Sequence, residues 1–261
     1  MLFRLLIFAV FGLVIGSFSN VLIYRLPLEI PIGLSRSRCN DCGTQIKGYD
    51  NIPVLSYLLL KGKCRACKCK ISLRYPLVEL FICALWVVPA LLGQPTAQAV
   101  ISALFTTILA IIAIIDYERL IIPDRLVVAI AVLSIPGFVL RLPPNWADRL
   151  IGALAGFGFL YLMAVLSEKI LKKEGMGGGD IKLLTAAGLV LGWKNNMLSL
   201  GMGAFVALFM LGLMKLASHE FNREKQIPFA PSLAIAMSIC YYFGDWLINW
   251  YLSFFIVPHV H

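Results

Sequence analysis

Two carboxylates stand where chemistry would need them. Glu174-Gly175-Met176-Gly177-Gly178-Gly179-Asp180-Ile181-Lys182 runs four glycines into one aspartate, and a long apolar segment follows. Asp116 ends another apolar segment, in Ala113-Ile114-Ile115-Asp116-Tyr117-Glu118. Two carboxylates at the ends of membrane segments can face each other and share a proton. Like charges in close contact cannot both stay ionised, so one carboxyl holds the proton and the other acts as base. Such a pair activates a water against a peptide bond. The plainer reading of the same residues is a Gly-rich turn before a helix, with the aspartate as a cap or dipole partner. From this stretch alone the plainer reading is preferred.

Four cysteines form a second constellation. Cys39-Asn40-Asp41-Cys42 and Cys64-Arg65-Ala66-Cys67 are two CxxC pairs separated by 21 residues, the spacing of a zinc ribbon. Each pair forms a tight knuckle whose thiolates point at one ion. Four thiolates close a tetrahedral shell and leave no open position, so the expected zinc is structural. Disulfides are the competing reading, but a basic loop on the cytosolic side, where thiols stay reduced, favours zinc. Cys69 is a spare ligand candidate, while Cys83 and Cys240 lie in apolar segments and read as core residues.

These residues have to be positioned by membrane helices. The chain of 261 residues is 60% hydrophobic with a mean hydropathy of +0.85. Its charged fraction of 14% is well below the roughly 25% of a soluble domain. Residues 2–24 are almost wholly apolar, broken only by Arg4. They are long enough to span, since a helix needs roughly 20 residues to cross the hydrocarbon. They are also too long for a signal peptide, and Ile15-Gly16-Ser17-Phe18 is a poor cleavage site. The polar, basic residues 29–74 follow. Further apolar stretches lie at 77–92, 96–115, 126–140, 150–166, 183–193, 197–214 and 227–256. Pro123-Asp124 and Pro143-Pro144 mark turns between them, and Trp246, Trp250 and Tyr251 suit an interfacial belt. The expectation is an all-α polytopic membrane protein of about eight transmembrane helices, with a cytosolic zinc-ribbon-like loop between the first two.

Charge sets the orientation. A net charge of +9 would suggest nucleic acid in a soluble protein. Here the gathering of Lys and Arg in cytosolic loops explains it, and no nucleic-acid partner is expected. With the Cys loop inside, all but Arg4, Arg141, Arg149 and Lys194 of the 23 Lys and Arg lie inside. The N-terminus is then outside, and the Cys loop, Asp116 and Asp180 share the cytosolic side. The stretch 183–193 is too short to span alone, so its helix is expected to begin near Asp180 and draw the glycines towards the membrane. Irregular backbone at that depth occurs only where protein or a wet cavity surrounds it. A carboxylate there is costly and is a functional candidate, which shifts the weight to the catalytic reading.

At this point several motifs together resemble the bacterial type IV prepilin peptidases, the leader peptidases of pilin and type II secretion systems. Gly16-Ser17-Phe18-Ser19-Asn20-Val21-Leu22-Ile23-Tyr24-Arg25-Leu26-Pro27 is similar to the family's opening signature. The two CxxC pairs, with Asp50-Asn51-Ile52-Pro53-Val54-Leu55-Ser56-Tyr57 between them, resemble its cytosolic zinc loop. Arg74-Tyr75-Pro76-Leu77-Val78-Glu79-Leu80 matches the entry to its second span. Asp116 with Ile122-Pro123-Asp124 fits its first aspartate motif, and Gly177-Gly178-Gly179-Asp180-Ile181-Lys182 fits its GxGD motif.

The resemblance implies an eight-span GxGD-type aspartic protease of the bacterial inner membrane, with Asp116 and Asp180 catalytic. Gly177, Gly178, Gly179, Lys182, Pro123 and Asp124 would support the catalytic loop, and Cys39, Cys42, Cys64 and Cys67 would hold the zinc. It implies prepilin or pseudopilin substrates, and in many members N-methylation of the new N-terminal residue with S-adenosylmethionine. An N-terminal region, residues 1–93, would carry the first two spans, the Cys loop and the methyltransferase part. Residues 94–261 would form a six-span peptidase domain. Two departures stand out. Many members have Asp where this chain has Glu118, which favours Asp116 as the first catalytic residue. Ile227-Pro228-Phe229-Ala230-Pro231 has Ala where Gly is usual, a change expected to touch packing only. Asp124 is the rival for the first role and ranks second, because a Pro-Asp step opening a span also reads as a cap. Two other classes compete: a transporter with carboxylate proton relays, and a zinc-loop membrane adaptor without chemistry. A transporter would more naturally show matching halves. An adaptor has no need of Asp180 at membrane depth.

Overall fold

In lipid, a backbone satisfies its polar groups only within its own segment or a closed barrel, so long apolar runs become helices. The computed structural model describes residues 1–33, 37–39, 41–171, 177–217 and 228–256, with backbone alone at 171, 214–217, 255 and 256. It contains α1 (Leu2–Arg25), the short α2 (Leu55–Leu59), α3 (Arg74–Leu91), α4 (Thr96–Arg119), α5 (Asp124–Val139), α6 (Trp146–Leu171), α7 (Gly178–Ala217) and α8 (Ala230–Ile256). No strand forms among the described residues. Five of these helical stretches are long and apolar enough to cross a membrane. Residues 174–176, the polar stretch 218–226 and Ile227 lie outside the described residues.

The chain forms two compact units, Met1–Thr107 and Ile108–His261. In the first, α1 packs on α3 through two glycines one turn apart. A Cβ on Gly12 would sit 2.8 Å from Cys83 Cα and Trp86 Cβ, and one on Gly16 would sit 2.8 Å from Glu79 Cα. Small residues at this spacing let two membrane helices approach to backbone contact, where dispersion replaces the missing hydrophobic drive. Trp86 closes this packing: its ring lies 6.1 Å from that of Phe8, and its indole N–H donates to Thr107 Oγ1 at 3.1 Å.

The second unit is built around α6, α7 and α8. The expected spans at 183–193 and 197–214 are one helical element here, interrupted at Gly192 (φ 72°, ψ 172°). Asn196 Nδ2 donates to the carbonyl of Leu184 at 3.1 Å. On a straight helix those residues would be about 18 Å apart, so α7 folds back at Gly192 into two arms. The hairpin seats on α6 through Gly152 and Gly188, whose backbones touch, and Asn196 also donates to Gly152 O at 3.0 Å. Arg149, 4% exposed, holds the neighbouring turns by donating to the carbonyls of Leu142, Pro144 and Leu189 at 3.1, 2.8 and 2.8 Å.

Helix boundaries differ from expectation where polar residues continue a helix. The third span does not stop at Ile115, since α4 runs on to Arg119 and carries Asp116 inside its last turns. The last helix opens at Ala230, after Pro228.

Candidate active site and metal centre

Asp116 lies near the C-terminal end of α4 and is 7% exposed. Its Oδ2 accepts the backbone N–H of Ala230, the first residue of α8, at 3.1 Å. Helix N-termini present unsatisfied N–H groups and a positive dipole end, so a carboxylate is well placed there. Asp180 stands in the first turn of α7, its own N–H bonded to Gly177 O at 3.1 Å. Its Oδ1 is buried and has no hydrogen-bond partner among the described residues. The Asp116 and Asp180 carboxyls are close enough to interact electrostatically.

The three glycines before Asp180 have different surroundings. A Cβ on Gly177 would lie 3.2 Å from Asp180 Oδ2. A Cβ on Gly179 would lie 3.0, 3.2 and 3.3 Å from Cβ, Cδ1 and Cγ1 of Ile122, so the loop between α4 and α5 rests on this glycine. Gly178 has nothing within 4 Å among the described residues. Asp124 is engaged elsewhere. It is the first residue of α5, with Pro123 at the N-cap position and no side-chain cap bond. Its carboxylate takes Lys182 Nζ at 2.8 and 3.0 Å in an exposed ion pair. An exposed pair of this kind contributes at most about 1 kcal/mol.

The Cys loop belongs to the first unit. Sγ atoms of Cys39, Cys64, Cys67 and Cys69 lie within 4.8 Å of one another. The Cys42 thiol donates to Thr44 Oγ1 at 3.3 Å. Thus three of the expected ligands come together with the spare one, and the fourth, Cys42, bonds the Thr44 hydroxyl while still interacting with the thiols of Cys39 and Cys67. The backbone N–H groups of Cys42 and Asp41 bring the Cys39 thiol down to about 6. Cys69 is pushed up by Cys67 and the nearby Asp41. Asp50 and Arg65 form a two-point pair, with Arg65 Nε 2.8 Å from Oδ2 and an NH2 contact of 2.7 Å to Oδ1, and this bond holds the Asp50 carboxyl below its usual range. Glu79, 8% exposed on α3, accepts the N–H of Val54 at 2.7 Å. Val54 has φ 58°, an unusual conformation for a β-branched residue.

Sequence reasoning had no means to find the Ala230 N–H, because a backbone donor carries no residue type. The contact of Ile122 with Gly179 was equally hidden, being a matter of packing between distant positions.

Two family models match: the Bacterial Peptidase A24 N-terminal domain over residues 10–92, and the Type IV leader peptidase family over residues 103–213. A prepilin leader peptidase/N-methyltransferase of Aeromonas salmonicida (strain A449) is 37% identical over 272 residues, 93% of this chain and 92% of that protein. One of Aeromonas hydrophila is 37% identical over 276 residues, 94% of this chain and 93% of that protein. One of Bacillus subtilis (strain 168) is 32% identical over 244 residues, 94% of this chain and 96% of that protein. No solved structure gives a significant match. Similarity of this extent along the whole chain, joined to its membrane helices, means that the chain belongs to the type IV prepilin leader peptidase family.

Proposed function

We propose that this peptidase is an integral-membrane aspartic endopeptidase that removes the leader from type IV prepilins or type II secretion pseudopilins. Asp116 and Asp180 are its catalytic pair, working at the cytosolic face of the inner membrane. The observation that carries the reading is the electrostatic interaction of two carboxyls from different helices, the buried Asp116 held by a backbone N–H and the half-buried Asp180 with an Oδ1 that has no hydrogen-bond partner among the described residues. Buried carboxyls near the membrane are costly, which argues for use rather than packing.

Hydrolysis proceeds without a covalent intermediate. One carboxylate takes a proton from water, and the other carboxyl protonates or hydrogen-bonds the scissile carbonyl. Asp116, already an acceptor towards Ala230 N–H, suits the base, while Asp180 Oδ1 has the free position that a donor to substrate needs. The open space at Gly178 lets substrate backbone come close, since no Cβ blocks it. The substrate's apolar stem lies in the bilayer and its basic leader in the cytosol. The excess of Lys and Arg in the cytosolic segments, with the N-terminus outside, supports this placement.

The relatives' names add N-methyltransferase, and S-adenosylmethionine is the proposed methyl donor for the amine that cleavage exposes. The Cys loop fits a structural zinc. A tetrahedral shell with Zn–S near 2.3 Å sets sulfurs about 3.8 Å apart, and Cys39 and Cys67 already lie at 3.8 Å. Cys39, Cys64 and Cys67 with a fourth thiolate would hold the ion, which fixes the loop's fold and takes no part in cleavage.

The test is purified protein mixed with a prepilin, scored for the shortened product. Asp116→Asn and Asp180→Asn should each abolish cleavage in a folded, membrane-inserted protein, and Asp124→Asn should retain measurable activity. Normal cleavage by either of the first two variants overturns the assignment.

A further inference from the structure

Between residues 41 and 75 the Cys loop carries seven Lys and Arg against two Asp, and one of the two, Asp50, is already paired with Arg65. Inside this basic stretch stands one short apolar helix, α2 (Leu55–Leu59). At 3.6 residues per turn, Leu55, Leu58 and Leu59 fall within about 100° of one another. They are 49%, 64% and 72% exposed. The other side of α2 is turned inward and held. Ser56 is buried, its hydroxyl accepting the N–H of Ile52 at 3.0 Å and donating to Tyr49 O at 2.9 Å. Tyr57 OH donates to Ile71 O at 3.4 Å. The leucines therefore form one fixed face, aimed away from the rest of the loop.

The depth of that face follows from α3. The helix has 18 residues, about 27 Å at 1.5 Å per residue, against roughly 30 Å of hydrocarbon. With no length to spare, its first turn at Arg74 sits at the edge of the hydrocarbon. Glu79 lies five residues further in, about 7.5 Å along the axis. Glu79 Oε2 accepts the N–H of Val54, the residue that precedes α2, at 2.7 Å. So α2 starts level with the membrane surface rather than above it. Apolar side chains exposed there are stabilised by acyl chains and not by water. Lys61 and Lys63 follow the helix directly, and Lys63 is exposed. Basic side chains beside an apolar interfacial face rest their stems on the acyl chains and bring their ammonium groups to lipid phosphates. The apolar stem of a protein partner would match the leucines but offers no phosphate to the lysines.

We propose that α2 is an interfacial anchor. It lays Leu55, Leu58 and Leu59 into the leaflet beside the Cys loop, with Lys61 and Lys63 on anionic phospholipid headgroups. The anchor requires neither the aspartate pair nor the zinc. Full-length protein with photoreactive benzoylphenylalanine in place of Leu59 is reconstituted into nanodiscs of equal phosphatidylcholine and phosphatidylglycerol, irradiated, and weighed intact. The expected product is one chain plus one phospholipid. A cross-linked dimer, a cross-link to added prepilin in place of lipid, or no lipid adduct overturns the proposal. Trypsin cleavage of the unaltered chain after Lys61 and Lys63 gives the second reading. It should be slower on the order of tenfold in the mixed membrane than in phosphatidylcholine alone, and molar salt should remove the difference. Leu58→Ser combined with Leu59→Ser should lose most of this protection while keeping its Tm in detergent. Equal cleavage in the two membranes, or full protection in the double variant, overturns the proposal. The comparison of membranes uses the unaltered chain, so it decides the matter even where the double variant fails to fold.

Discussion

Gly179→Ala isolates the packing that sets the Asp180 carboxyl, one of the proposed catalytic pair, in place. Gly179 lies in the first turn of α7 without a positive φ, so alanine meets no conformational penalty there and is a better helix former by about 1 kcal/mol. Space is the obstacle. The new Cβ falls 3.0 Å from Ile122 Cβ, against about 3.8 Å for relaxed carbon contacts. Overpacking of this kind costs roughly 1–3 kcal/mol, so the two effects nearly offset in stability. They do not offset in geometry. Either the Ile122 loop moves or the start of α7 moves, and Asp180 is the next residue. A shift of a few tenths of an ångström up to 1 Å in a reacting group costs on the order of 10- to 100-fold in rate. The expected result is a fall of about that size in kcat/KM for prepilin cleavage, with thermal stability in detergent little changed. Gly178→Ala, with nothing within 4 Å among the described residues, should stay within about threefold of the parent. Ile122→Ala added to Gly179→Ala should restore part of the lost rate. Full activity in Gly179→Ala, or a Gly178→Ala enzyme equally impaired, would refute this account.

The two chemistries should separate. Asp180→Asn should fail on an intact prepilin yet still methylate a pilin supplied already cut, seen as one added methyl in the mass spectrum. Methyl transfer needs an amine and a sulfonium donor rather than an aspartate pair, and no added methyl with this variant would mean a shared site. Arg149→Met removes the donor that serves the carbonyls of Leu142, Pro144 and Leu189. Each buried carbonyl left without a partner costs about 1–3 kcal/mol, so with three of them a loss of at least about 3 kcal/mol is expected in urea or thermal unfolding. An unchanged midpoint would show that water replaces the guanidinium.

Much of this protein was legible in the sequence because the governing physics is local. An apolar run near 20 residues has one low-energy state in a bilayer, so the helices could be counted and nearly bounded. Gly12 and Gly16, the two CxxC pairs and the glycines before Asp180 are all short-range patterns. Their meaning depends on neighbours from elsewhere in the chain. Nothing in the residue types says that Asp116 is the one that interacts electrostatically with Asp180 while Asp124 is tied to Lys182, since both candidates sit within nine residues of each other and both end or open a helix. The folded arrangement of α4, α5 and α7 decides it. The stretch 183–193 looked too short for a helix of its own. Only the bond from Asn196 back to Leu184 shows that α7 turns on Gly192 and uses both arms. The donor from Ala230 and the seat of Ile122 on Gly179 belong to the same class. A backbone N–H is chemically the same at every position, and a close contact exists only once two distant segments meet, so tertiary structure alone can assign either.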